Sequence, residues 1–189
     1  LSDILPAITQ LTGNLNSTTY GCLASNSVCI LKTQGDLTVG SDTTPFTCDN
    51  WGVFFVSGNL TVKNRILNVN ERKDACIFVV SEEVMIEDGY LASSAGQIQY
   101  DEINAYIVSD GDITIEAQTD LSSKYDGVFV EGGLQTLGEL NMNRSLKLVD
   151  RNVYPALAVI NHPKYSVLSN IVFGSQVDIL KTELGFKPY

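Results

Sequence analysis

Histidine is almost missing from this chain: His162 stands alone among 189 residues. That argues against a zinc site built from histidine and cysteine. Cysteine is also confined. Cys22, Cys29, Cys48 and Cys76 fall in the first 76 residues and none follow, without a CxxC pair among them. An even number in that pattern fits disulfides and an oxidising compartment, either extracellular, periplasmic or cell-surface, and neither a metal nor a cofactor is expected. Positive charge is scarce, with Lys+Arg 12 against Asp+Glu 22 and a net charge of -10. Nucleic-acid binding needs basic stripes and is disfavoured, as is docking on anionic lipid. No apolar run reaches the roughly 18 residues of a membrane span, so no membrane insertion is expected of this segment. No secretory leader is visible either; the sequence begins at Leu1 rather than Met, so a removed leader or a longer parent protein is expected.

What the chain has in abundance is a repeat. Val53-Phe54-Phe55-Val56-Ser57-Gly58-Asn59-Leu60-Thr61-Val62 is an apolar run, a glycine turn and an alternating strand. Versions of it recur around Gly35, Glu82, Gly111 and Gly132. Those turn positions, with Gly58, are spaced 23, 24, 29 and 21 residues apart. A period of 20–30 residues with one strand-turn-strand unit per period points to a β-solenoid. Three strands fit into each period: 53–56, 60–62 and 66–69 in the second coil, and 128–130, 134–137 and 140–142 running toward 146–149 in the fifth. The expectation is an all-β, single-stranded parallel right-handed β-helix of about six coils. At about 4.8 Å per coil it would form a rod of roughly 30 Å. An antiparallel sandwich is the rival, with Asp110-Gly111-Asp112 and Asp126-Gly127 as hairpin turns. It fits less well, because the unit exceeds a hairpin and keeps one polarity.

The ends depart from the repeat. Leu1, Ile4, Leu5, Ile8 and Leu11 have helical spacing, which predicts a short N-terminal helix and marks those residues for self-association. Segments 1–27, 28–153 and 154–189 are then a helix with its loop, the coils, and the last coil with a C-terminal cap. The cap should contain a last strand at 154–160, a turn at Asn161-His162-Pro163, a short helix at 165–172 and a terminal strand or cap at 177–181. An insertion in the third coil, 88–103, reads as a loop flaring from the shaft. Tyr90, Tyr100, Asp101 and Tyr106 in and beside it are the candidate ligand-binding residues, for a surface glycan or a protein.

The cysteines provide a geometric test. Cys29 and Cys76 stack on one side two coils apart, about 9.6 Å, beyond the ~7 Å reach of a disulfide. The favoured set is Cys22–Cys29 with Cys48–Cys76; the alternative is Cys22–Cys76 with Cys29–Cys48. Catalytic residues are not expected. Asp36, Asp110 and Asp112 could supply the paired carboxylates of glycoside hydrolysis, but Asp is also a standard corner residue. Glu82, Glu83, Glu87 and Asp88 read as a solvated face. Trp51, Phe54, Phe55 and Tyr125 read as core or face-covering aromatics before a sugar strip.

The Gly-Asp/Asn-Leu-Thr-Val units at 35–39 and 58–62, with Gly-Asp-Ile-Thr-Ile at 111–115, resemble those of bacterial surface-exposed single-stranded right-handed β-helix proteins. The ending from Tyr154-Pro155-Ala156 to Pro163-Lys164-Tyr165 is similar to their C-terminal cap. The resemblance covers 28–189. It implies coils projecting outward from an anchoring N-terminal apolar segment. Bactofilins are a more distant likeness; they are cytoplasmic and polymerise through stacked coils, with shorter repeats and no cysteine staples. The expected function is a non-enzymatic extracellular shaft that self-associates into an oligomer, filament or appendage. An adhesin-like binding module is the alternative, and a β-helical polysaccharide lyase or hydrolase ranks third.

Overall fold

A computed structural model describes residues 8–11, 28–88, 100–117, 127–144 and 155–173. It is a β-solenoid in which each rung has three sides. Rung one is Val28–Thr33 (β2), Leu37–Val39 (β3) and Phe46–Cys48 (β4), preceded by Ile8–Leu11 (β1). Rung two is Trp51–Val56 (β5), Leu60–Val62 (β6) and Ile66–Asn68 (β7); rung three is Ala75–Val80 (β8), Val84–Ile86 (β9) and Tyr100–Ile103 (β10). Rung four is Ala105–Ser109 (β11), Ile113–Ile115 (β12) and Gly127–Glu131 (β13); rung five is Gly133–Thr136 (β14), Leu140–Met142 (β15) and Leu157–Ile160 (β16). One helix, Pro163–Phe173 (α1), follows. Stacking like sides gives parallel sheets ordered β1-β2-β5-β8-β11-β14, β3-β6-β9-β12-β15 and β4-β7-β10-β13-β16.

Alternation in each short strand sends one set of side chains inward, and exact register turns that set into columns. Leu31, Phe54, Phe78, Ile107 and Leu134 form one column on the first side. Leu37, Leu60, Val84, Ile113 and Leu140 form another on the second. Phe54 and Phe78 stack at 4.7 Å between centroids, and Phe46 meets both edge-on at 5.8 and 6.0 Å. Offset and edge contacts of this kind suit the aromatic quadrupole.

Several expectations are corrected. Among the described residues the solenoid makes about four turns, not six coils: five rungs are joined by four steps. The miscount arises at 128–130. By sequence that run fits the first side of a new coil, but it pairs with Tyr100–Ile103 and is the third side of rung four. The turn that stacks on Gly111 is therefore Gly138, not Gly132, since Ser109 pairs with Thr136. An interior-facing apolar triplet looks alike on any side, so only pairing distinguishes them. The predicted N-terminal helix is also overturned where it is described. Ile8–Leu11 is a strand, in parallel register with Ile30–Thr33. The unpaired backbone edge of β2 offers hydrogen bonds that outweigh a weak helical pattern. Finally, Tyr100–Ile103 is not part of a flared loop but a regular third-side strand.

The C-terminal helix forms where expected, but it does not cap an end. It lies along the outer surface of the first side. Tyr165 and Leu168 bury themselves against Val53, Ala75 and Ile77, with Trp51, Phe55, Val79 and Tyr106 packed around them. This accounts for the unbroken apolar runs of β5 and β8: those strands are covered on both faces, as alternating strands are not. His162 caps the helix. Its Nδ1 accepts from the Lys164 amide at 3.3 Å and its carbonyl from the Tyr165 amide at 3.1 Å, while Pro163 occupies a first-turn position that needs no donor.

The disulfide test is met for the described residues. Cys48 and Cys76 are bonded, with Cα atoms 6.0 Å apart. Cys29 and Cys76 both register with Gly52, on rungs one and three, and are not joined to each other. Cys29 is itself disulfide-bonded; Cys22 lies outside the described residues. Segments 89–99 (with Tyr90), 118–126 (with Tyr125), 145–154 and 174–189 lie outside them too, as do Leu1, Ile4 and Leu5.

Candidate functional site

The first corner, between the first and second sides, holds the carboxylates that suggested chemistry. Asp36 Oδ1 accepts from the Asn59 amide at 2.8 Å and from Asn59 Nδ2 at 3.3 Å. Asn59 Oδ1 accepts from the Glu83 amide at 3.0 Å, and Asp112 Oδ1 from the Glu139 amide at 2.8 Å. Each side-chain oxygen thus satisfies a backbone donor one rung further on. Ser57 adds to the ladder, accepting from the Gly35 amide at 2.8 Å and donating to the Thr33 carbonyl at 3.0 Å. Gly58 is required here by space: a Cβ would sit 2.4 Å from Asp36 Oδ1. Asp36 and Asp112 therefore serve as corner acceptors, and Asp110 lies exposed beside them. Among the described residues no group of three or more His, Cys, Asp and Glu is disposed to hold a metal ion.

The second corner, between the second and third sides, contains a buried charge cluster that the sequence reading missed. The Arg144 guanidinium bonds Asp101 Oδ2 at 2.7 Å and Asp88 Oδ1 at 3.0 Å. It also donates to the carbonyls of Glu116 at 2.6 Å and Glu87 at 3.3 Å. One side chain on rung five thereby clamps rungs four and three. The planar, many-donor guanidinium suits this role where a lysine would not. Asp101, a candidate ligand contact by sequence, points inward and is buried. An arginine beside an asparagine in a corner gave no sequence signal, because its partners are 43 and 56 residues away (144 minus 101, and 144 minus 88).

A third polar group anchors the helix. Lys164 Nζ lies 2.6 Å from Glu131 Oε1, donates to the Glu71 carbonyl at 2.8 Å and stands 5.2 Å over the Tyr165 ring. Burial raises the Tyr165 hydroxyl above the ordinary tyrosine range; the Asn68 side chain opposes the rise and the Glu131 carboxylate adds to it. By geometry the buried hydroxyl closes no hydrogen bond. Tyr106 is also raised by burial; its ring lies over Gly133 and its hydroxyl donates to Gln135 Oε1 at 3.2 Å.

The candidate ligand residues that are described, Tyr100, Asp101 and Tyr106, are not brought together. Tyr100 projects from the third side with its ring over Gly127, Asp101 faces the interior, and Tyr106 lies on the first side against α1, 6.4 Å from the Tyr165 ring. Trp51 donates its indole N–H to the Lys73 carbonyl, and Phe55 meets Phe173 edge-on at 6.1 Å. No family model, curated protein or solved structure matches the chain.

Proposed function

We propose that the protein is a non-enzymatic structural shaft, working outside the cell or at its surface as one rigid section of a filament or appendage. The supporting observation is the use made of its polar side chains. Asp36, Asn59 and Asp112 hold the first corner, and Asp88, Asp101 and Arg144 hold the second. Their hydrogen-bonding capacity is directed along the rod axis, from rung to rung, where it stiffens the stack. The Cys48–Cys76 bond fits an oxidising location and ties rung one to rung three. Negative-stain electron microscopy of intact cells, with the protein tagged by antibody, tests the reading. Label on surface appendages or the outer envelope is expected; label confined to the cytoplasm overturns it. Turnover of a polysaccharide that is lost in a D110N/D112N variant would favour the enzyme instead.

A further inference from the structure

The four cysteines do not form two equivalent bonds. Cys48 and Cys76 are joined to each other, and Cys29 is disulfide-bonded as well. With four cysteines in the sequence, Cys22 remains as the partner of Cys29. The two bonds differ in what surrounds them. Cys48 and Cys76 are both 0% exposed, inside the cluster that also holds Phe46, Phe54 and Phe78. Cys29 is half-buried and packs against that cluster without being enclosed by it. It lies on rung one, where, among the described residues, β3 and β4 end their sheets and only the first side continues, to β1. Cys76 lies on rung three, between Gly52 on rung two and Ala105 on rung four.

We propose that the Cys29 bond is a thiol-exchange site, open to small thiols in the folded protein, while the Cys48–Cys76 bond is sealed against them. In exchange, a thiolate attacks one sulfur of the disulfide and forms a mixed disulfide with it. The other sulfur leaves as a thiolate and takes a proton from water. A second thiol then attacks the mixed disulfide. The cysteine is released as a thiol, and the two small thiols leave as their own disulfide. Two electrons and two protons thus pass to the protein's cysteines, and the small thiol is the reductant. The attacking group is an anion. Bringing it into an apolar core strips its hydration and puts nothing in its place. Cys48 and Cys76 meet it only after the rungs around them open, whereas Cys29 meets it in the native fold. The response to a reducing thiol is therefore graded: the Cys22–Cys29 loop is S-thiolated and opened first, and rungs one and three stay stapled. This inference goes beyond the structural reading above and holds wherever the protein works.

Peptide mass spectrometry of the full oxidised chain tests it, after incubation with glutathione at about pH 8, where a useful share of a small thiol is thiolate, and alkylation with iodoacetamide. Glutathione adducts or alkylation at Cys22 and Cys29 are expected at least about a hundredfold faster than at Cys48 and Cys76, because the latter wait for the core to open. Far-UV circular dichroism should stay unchanged while the first bond opens, which places the exchange in the native fold. Unfolding in urea should bring the two rates together. In a C22S/C29S variant with a cooperative urea transition, Cys48 and Cys76 should remain unlabelled until that transition; the parent chain carries the test by itself if the variant does not fold. Equal rates at the two bonds in the folded chain, faster reaction at Cys48–Cys76, or no reaction at Cys29 before unfolding would each overturn the inference. So would a peptide map that joins Cys22 to a cysteine other than Cys29.

Discussion

At the residue scale, Arg144 is the position on which most depends. Arg144→Met leaves Asp101 buried without its counter-charge, a loss of about 3–5 kcal/mol. Urea unfolding should show it. Adding Asp101→Asn should return part of that loss, because the uncompensated charge is then removed; a double variant no better than the single would refute the pairing account. Gly132 is the second such position. Its φ is +140° and a Cβ would lie 2.2 Å from the Ala105 carbonyl oxygen. Gly132→Ala should therefore cost about 2 kcal/mol or more through strain in the turn, read as a lower unfolding midpoint. Asn59 belongs to this scale too. Its Asn-Leu-Thr sequence matches a glycosylation sequon, yet its carboxamide is spent on Asp36 and Glu83.

At the scale of elements, α1 is a lateral cover. Its Leu168 fills the space over Ala75 and Ile77, so Leu168→Ala should cost about 2–5 kcal/mol, with increased binding of a hydrophobic dye as the outer face of the first side is exposed. Tyr165 gives a pH signature. Its folded pKa is raised above the ordinary 10.0 by burial. Below pH 10 the hydroxyl is protonated in both folded and unfolded chains and contributes no slope. Above pH 10 the unfolded chain ionises first, so stability falls as pH rises. Tyr165→Phe should remove that share of the alkaline loss while leaving stability at pH 7 near that of the parent, since the hydroxyl makes no hydrogen bond to lose. How much of this was legible in the sequence divides cleanly. The β5 and β8 runs were visible as apolar, and the helix at 165–172 was visible by position. That the first covers itself with the second was not, because the helix returns over strands about a hundred residues earlier and no local pattern encodes that.

For the whole molecule, stability is nearly a sum of neighbouring-rung terms. Amide exchange should be slowest in rungs two to four and fastest in rung five, where the core columns end in Leu140 and Val159. Equal protection along the rod would contradict this. Removing the Cys48–Cys76 bond by a C48A/C76A substitution should cost about 2–4 kcal/mol.

The sequence by itself determined the solenoid, its three sides and the separation of Cys29 from Cys76. Those follow from alternation and repeat spacing, which are local and periodic. Only the tertiary structure decided that 128–130 closes a rung instead of opening one. It alone decided that Ile8–Leu11 joins the sheet as a strand, that Asp101 turns inward to Arg144, and that α1 lies along the first side. Each of those depends on which distant backbone edge or charge a segment meets, and a residue's own neighbours in sequence carry no record of that meeting.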